Sequence, residues 1–277
     1  MLEEFEKFLQ THIIKTKSFH PFYNEAYEKM LNAGGKRFRP LLLLNVVKIC
    51  NPLLINASFH AALALEMIHT YSLIHDDLPC MDDAPFRRAT PTLHVTYGEA
   101  AAVLMGDALN TDAFLILMNS PLDAKTKVRL CEILSFNAGS GGMALGQAID
   151  CHFENQPLDE SELEFLHIHK TARLIAAALQ MGSVITGSEL EEKLYSFGLE
   201  LGLLFQIQDD IIDAVKSKEE AGKPTRNDTN KNSFVNLLGL TNALLKRDAK
   251  VKELKAKAET FEALGGYFQK ILDTNFK

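Results

Sequence analysis

Two tight aspartate clusters interrupt a sequence whose apolar residues otherwise recur at helical spacing. Asp76 and Asp77 open the first, with Asp82 and Asp83 a few residues on; Asp209, Asp210 and Asp213 form the second. Carboxylates this close repel by roughly 4 kcal/mol per pair at 4 Å when the effective dielectric is about 20. A fold that keeps them needs a cation beside them. Hard oxygen donors with few other partners suit Mg²⁺, which takes one or two carboxylates and leaves its other positions to water and substrate phosphates. Two such clusters imply a polyphosphate held between two acidic walls.

The clusters differ in regularity. Asp209 and Asp213 are four apart, which puts both carboxylates on one helix face with Asp210 beside them. Phe205, Ile207, Ile211 and Ile212 surround them, and no Lys or Arg lies among them or in the turn before. Asp76 and Asp82 are six apart, which a straight helix does not align. Pro79 disfavours a helix through this point, so the helix is expected to end or distort there and return Asp82 beside Asp76. A helix C-terminus disfavours negative charge, which again asks for a cation.

Helical periodicity runs through 61–74, 100–118, 127–136, 163–186, 189–213 and 233–257, and hairpin-bounded alternating stretches are absent. The fold class is therefore all-α. Ser120 and either Asp159 or Ser161 are candidate helix caps. Several helices are apolar on more than one face, as in a bundle centre or under a second subunit. Gly139, Gly141, Gly142 and Gly146, with Gln147 and Asp150, are read as a helical stretch built for close packing. The polar stretch 216–232, with Gly222 and Pro224, is read as a loop over the second cluster.

Basic groups follow the acidic ones. Lys36 and Arg39 stand at a glycine-led helix entry, and Arg87 and Arg88 follow the first cluster. Arg grips phosphate oxygens in a fork and Lys as a point charge. The Gly34-Gly35-Lys36 stretch lacks the upstream glycine and the following Ser/Thr of a P-loop. Lys170, next to Thr171 in an Ala- and Leu-rich segment, needs an anion or a ring of acceptors if buried. His167 and His169 face opposite ways on a helix and read as structural. Cys50, Cys80, Cys131 and Cys151 have no metal-site spacing and read as reduced, mostly buried thiols. The net charge of −7 argues against nucleic acid as a partner. The opening MLEEFEKFLQ lacks the pattern of a secretory signal, and no apolar run approaches 18 residues, so no transmembrane helix and a cytoplasmic location are expected.

Taken in order, GGKRFRP (34–40), HTYSLIHDDLPCMDDAPFRR (69–88), HKTA (169–172), FQIQDDIID (205–213), GK (222–223) and KNSF (231–234) resemble the trans-type (E-) isoprenyl diphosphate synthases, most closely the bacterial farnesyl diphosphate synthases. The resemblance spans essentially the whole chain. It implies a single all-α domain over residues 1–277, about ten core helices around a deep apolar cavity, and a homodimer. Carried over by position, Asp76, Asp82 and Asp209 match the Mg²⁺ ligands, with Asp77, Asp210 and Asp213 in supporting roles. Three Mg²⁺ per active site are implied, with Mn²⁺ able to substitute. Arg87, Lys170, Thr171, Gln206, Lys223 and Lys231 match the allylic diphosphate side. Lys36, Arg39, His69 and Arg88 match the isopentenyl diphosphate pocket. The chain departs from the family at Ala89, where Gly is common, and at Ala84-Pro85, where acidic residues are usual; both concern loop geometry.

The chemistry implied is ionisation of the allylic diphosphate, attack by isopentenyl diphosphate on the carbocation, and loss of a proton to the released diphosphate. Tyr71, five residues before Asp76 and about 7–8 Å along the helix axis, stands where bulk would close the chain pocket. Ser72 is better aligned but too small. Bulk at Tyr71 resembles the farnesyl-making members of the family, and the resemblance implies a C15 product, with C20 the alternative. A terpene cyclase would not need the second diphosphate pocket, and a non-catalytic subunit would be expected to lose the aspartates.

Overall fold

The computed structural model describes residues 1–220 and 232–276. The all-α class is what the chain adopts; the described residues hold only one two-stranded hairpin besides helices. It divides into two compact units, Met1–Glu132 with Val184–Gly187, and Ile133–Ser183 with Ser188–Lys277.

The first unit holds α1 (Leu2–His12), α2 (Phe22–Asn32), α3 (Phe38–Cys50), α4 (Ile55–Asp76), the hairpin β1 (Phe86–Arg87) and β2 (Thr90–Pro91), α5 (Leu93–Tyr97) and α6 (Glu99–Met118). Its axis is α4, which packs on both α3 and α6. Contact on two sides explains why its apolar residues are not confined to one stripe: the run from Ala61 to Ile68 is buried throughout, Glu66 included. α7 (Ala124–Ala138) begins in this unit and ends in the other.

The second unit holds α8 (Met143–His152), α9 (Glu160–His167), a π-helical turn (Ile168–Ala172), α10 (Arg173–Thr186, whose end belongs to the first unit), α11 (Glu191–Glu220), α12 (Phe234–Leu238), α13 (Leu240–Ala258) and α14 (Gly265–Asn275). α11 lies against the π turn and α10 because Gly198 and Gly202 carry no Cβ; a methyl there would strike Ala176 and Ala172.

Several expectations need correction. The helix read as 233–257 is two helices, broken at Gly239, whose φ of 78° suits glycine. The loop read from 216 begins later, since α11 runs to Glu220. Gly139–Gly142 form the turn between α7 and α8; of that group only Gly146 packs as expected, against the backbone of Lys170. Asp159, not Ser161, caps α9, in a reciprocal box with Glu162. Ser120 is buried and caps nothing; Asp123 accepts from the Thr126 amide at 3.0 Å instead. Cys50, Cys80 and Cys151 are exposed, being at helix ends or in a turn. Among the described residues one helix, α6, is long and apolar enough by length and average composition to cross a bilayer, although Glu99, Asp107 and Asp112 interrupt its apolar run. Its Asp112 accepts from the buried Tyr27 hydroxyl at 2.8 Å, and the helix packs along α4.

Candidate active site

In the first unit α4 ends at Asp76, as Pro79 requires, and the chain folds back. The Asp82 amide donates to the Asp76 carbonyl at 2.9 Å, so the two aspartates are neighbours despite their spacing. Ala84 N on Asp77 O, and the buried Thr92, whose hydroxyl donates to Ala84 O at 2.9 Å, fix the turn. Asp76 is half-buried and Asp82 exposed. Asp77 points inward, and Arg87 Nε donates to its Oδ1 at 2.7 Å while Arg87 Nη2 stands 3.7 Å from Asp76. Burial pushes the Asp77 carboxyl up to about 6 against the pull of Arg87. Its Oδ2 is buried without a partner among the described residues. Among the described residues no three such side chains are yet grouped to hold a metal ion, but the chemistry of the donors, hard carboxylate oxygens with one of them buried and unsatisfied, is of the kind a divalent cation takes.

The hairpin after this turn sends its two arginines different ways. Arg87 reaches the aspartates; Arg88 donates to the Gly34 carbonyl and lies across Gly35, where a Cβ would collide with the guanidinium. Arg88 and Ala89 are the two-residue turn, with φ of 53° and 58°. The left-handed geometry explains why Gly suits the position Ala89 fills.

Arg39 Nη1 meets His69 Nε2 at 3.2 Å, so two of the residues assigned to one pocket are in contact. Burial, reinforced by Arg39, Arg88, Arg87 and Arg37, holds the His69 imidazole well below its ordinary pKa. Arg can only donate, so Nε2 is the acceptor and the neutral ring carries its proton on Nδ1. That N–H is buried and has no partner among the described residues. Lys36 is exposed at the mouth of the same entry. Tyr71 is half-buried with its ring edge-on to His75 at 5.7 Å, and Ser72 turns back to the His69 carbonyl at 2.8 Å.

In the second unit Asp209, Asp210 and Asp213 lie within the unbroken α11. Asp209 is half-buried and Asp213 exposed. Asp210 turns inward, accepts from the Phe234 amide at 2.8 Å and from Gln206 Nε2 at 2.9 Å, and is pushed up to about 6 by burial. Thr171 Oγ1 donates to Gln206 Oε1 at 3.0 Å, so Thr171, Gln206 and Asp210 form one chain. Lys170 pairs with Asp150 at 2.5 Å and is part-exposed. Both Lys170 and Thr171 sit on the π turn, a feature frequent at functional sites. Buried His167 stands 3.8 Å from Asp210, held neutral at about 4 by burial. Lys223 and Lys231 lie outside the described residues.

Sequence reasoning missed Arg37, Glu66, Thr92 and the π turn. Glu66, a carboxylate within the buried apolar run of α4, was the one visible signal.

Residues 20–271 match the polyprenyl synthetase family model. The chain belongs to that family. A farnesyl diphosphate synthase of Micrococcus luteus is 44% identical over 233 residues, 80% of this chain and 78% of that protein. A geranylgeranyl pyrophosphate synthase of Arabidopsis thaliana is 44% identical over 253 residues, 88% of this chain but 68% of its own length. Among solved structures, a geranyltransferase of Helicobacter pylori, complexed with magnesium and isoprenyl diphosphate, superposes with a TM-score of 0.90 at 48% identity, covering 98% of this chain and 92% of that one.

Proposed function

We infer that this polyprenyl synthetase is a farnesyl diphosphate synthase. It condenses isopentenyl diphosphate head-to-tail with dimethylallyl and then geranyl diphosphate to give the C15 product. The observation that carries the reading is the pairing of Arg39 with a neutral His69 in the same unit as the Asp76–Asp82 turn: cationic and N–H donors for one diphosphate, carboxylates for the cations of another. A terpene cyclase would have no use for the first.

Residues 1–277 act as one catalytic domain, with both carboxylate sets serving one allylic diphosphate. Asp76 and Asp82 from one set and Asp209 from the other would hold Mg²⁺, three ions per site with Mn²⁺ able to substitute; Asp77, Asp210 and Asp213 support them. Bound Mg²⁺ supplies positive charge to the leaving diphosphate. Arg87, Lys170, Lys223 and Lys231 bind its oxygens. Lys170 exchanges its Asp150 partner for phosphate, and Asp77 holds Arg87 in place until then. Lys36, Arg39, His69 and Arg88 hold the isopentenyl diphosphate, His69 donating through Nδ1. Gln206 and Thr171 turn their dipoles toward the developing carbocation. Tyr71, with Ser72 too small to share the task, stops the chain at fifteen carbons. The protein works in the cytoplasm as a homodimer. The latter is supported by α6, whose Val103, Leu104, Leu115 and Met118 stay exposed.

The test is incubation with Mg²⁺, isopentenyl diphosphate and labelled geranyl diphosphate, with products separated by length. Wild type gives C15 and Tyr71→Ala gives C20 or longer. A mainly C20 product from wild type would remove Tyr71 as the floor.

A further inference from the structure

The described residues hold one buried charge cluster that neither substrate is assigned to. Arg37 is 2% exposed, Glu66 1%. Arg37 Nη1 donates to Glu66 Oε1 at 2.6 Å, Nε to Glu6 Oε1 at 2.8 Å and Nη2 to the Leu31 carbonyl at 2.6 Å. One side chain thus ties α1, the end of α2, the start of α3 and the middle of α4. Burial opposes its charge, and Glu6 and Glu66 more than restore it.

A buried ion pair is a poor way to gain stability, since apolar residues of similar volume usually do as well. What it supplies is direction. Arg37 has a left-handed backbone, φ 45°, at the entry to α3, following Gly34 at 76° and Gly35 at 130°. The entry therefore has no regular backbone pairing to hold it, and side chains must. Two rungs do so. Glu66 and His69, three apart on α4, take Arg37 and Arg39, two apart on the entry. Arg88 closes the far side on the Gly34 carbonyl. Lys36, Arg37, Arg39, Arg87 and Arg88 would otherwise push the entry apart, and Glu66 and Glu6 are the anions that act on Arg37 and Arg88.

We propose that Glu66, acting through Arg37, is a positioning residue for the diphosphate of isopentenyl diphosphate, fixing the entry that carries Lys36 and Arg39. The proposal rests on the assignment of Lys36, Arg39 and His69 to that substrate. Glu66→Gln keeps the shape and removes the charge.

The experiment is steady-state kinetics on both substrates for Glu66→Gln, Glu6→Gln and Arg39→Ala, with melting temperatures. Glu66→Gln should raise the KM for isopentenyl diphosphate about tenfold, leave that for geranyl diphosphate within about twofold, and change kcat at saturation little. Glu6→Gln, at a part-exposed site, should shift the same KM about two- to threefold and decides the matter if Glu66→Gln does not fold. A lowered melting temperature with wild-type KM values, or equal rises for both substrates, would overturn the positioning role. A raised KM in Arg39→Ala beside a wild-type KM in Glu66→Gln defeats only this proposal. An unchanged KM in Arg39→Ala defeats the pocket assignment beneath it.

Discussion

The two carboxylate sets carry the same residue type on opposite kinds of backbone. The second sits on α11, thirty residues of helix, where four-residue spacing alone aligns Asp209 with Asp213. The first sits where a helix has ended, and its alignment comes from a folded-back turn, a hairpin and left-handed residues at Asp83, Arg88 and Ala89. In each set an inward aspartate, Asp77 or Asp210, is spent on holding protein: Arg87 in one case, the Phe234 amide in the other. Under the proposed function it is the outward Asp76, Asp82 and Asp209 that would hold the cations. Repetition of this division on unlike backbones argues that it belongs to the chemistry and not to either local fold.

The largest effects should separate the inward from the outward aspartates. Asp209→Asn should lower kcat about a thousandfold or more, as loss of a metal ligand does. Asp210→Asn keeps an oxygen for the Phe234 amide and should lose roughly tenfold or less. Equal losses would erase the distinction, and turnover measured at saturating Mg²⁺ decides it.

A middle-sized effect concerns what backs each set. Asp77 is backed by a guanidinium, Asp210 by the neutral imidazole of His167. His167 stays uncharged in the folded protein down to about 4, whereas an unfolded histidine takes a proton near 6.5. Its contribution to stability is therefore present above pH 6.5 and lost as pH falls toward 4, by up to about 3 kcal/mol. Asp210, raised to about 6, titrates in the opposite sense, so the informative quantity is the difference between wild type and His167→Phe. Denaturation between pH 7 and 4.5 should show a flatter acid limb in the variant. Parallel curves would mean that His167 is not held neutral.

The smallest effects test the backbones themselves. Ala89→Gly relieves a left-handed alanine and should stabilise by about 0.5–1 kcal/mol. Ala214→Gly, beside Asp213 in regular helix, should destabilise by about 1 kcal/mol. Chemical denaturation reads both, and effects of the same sign would contradict the contrast.

How much of this could be read from residues follows the same divide. Helical period made α11 and its aspartates legible, and Pro79 was enough to foresee Asp82 returning to Asp76. The departure at Ala89 was visible, but its reason was not, since a positive φ leaves no mark in a sequence without glycine. The π turn under Lys170 and Thr171 has the same apolar period as a plain helix and could not be told from one. Arg37 was passed over between Lys36 and Arg39 because burial, not spacing, separates its role from theirs. The helix at 233–257 was over-extended because Gly239 inside a polar helical pattern reads as a tolerated defect until its φ is known.

The most direct test of whether two unlike sets serve one diphosphate is the affinity for a bisphosphonate in the presence of Mg²⁺, measured by calorimetry on wild type, Asp76→Ala, Asp209→Ala and the double variant. Each single change should weaken binding about a hundredfold or more, and the double change should add little, as for groups acting on one shared ligand. Near wild-type affinity in either single variant would contradict it.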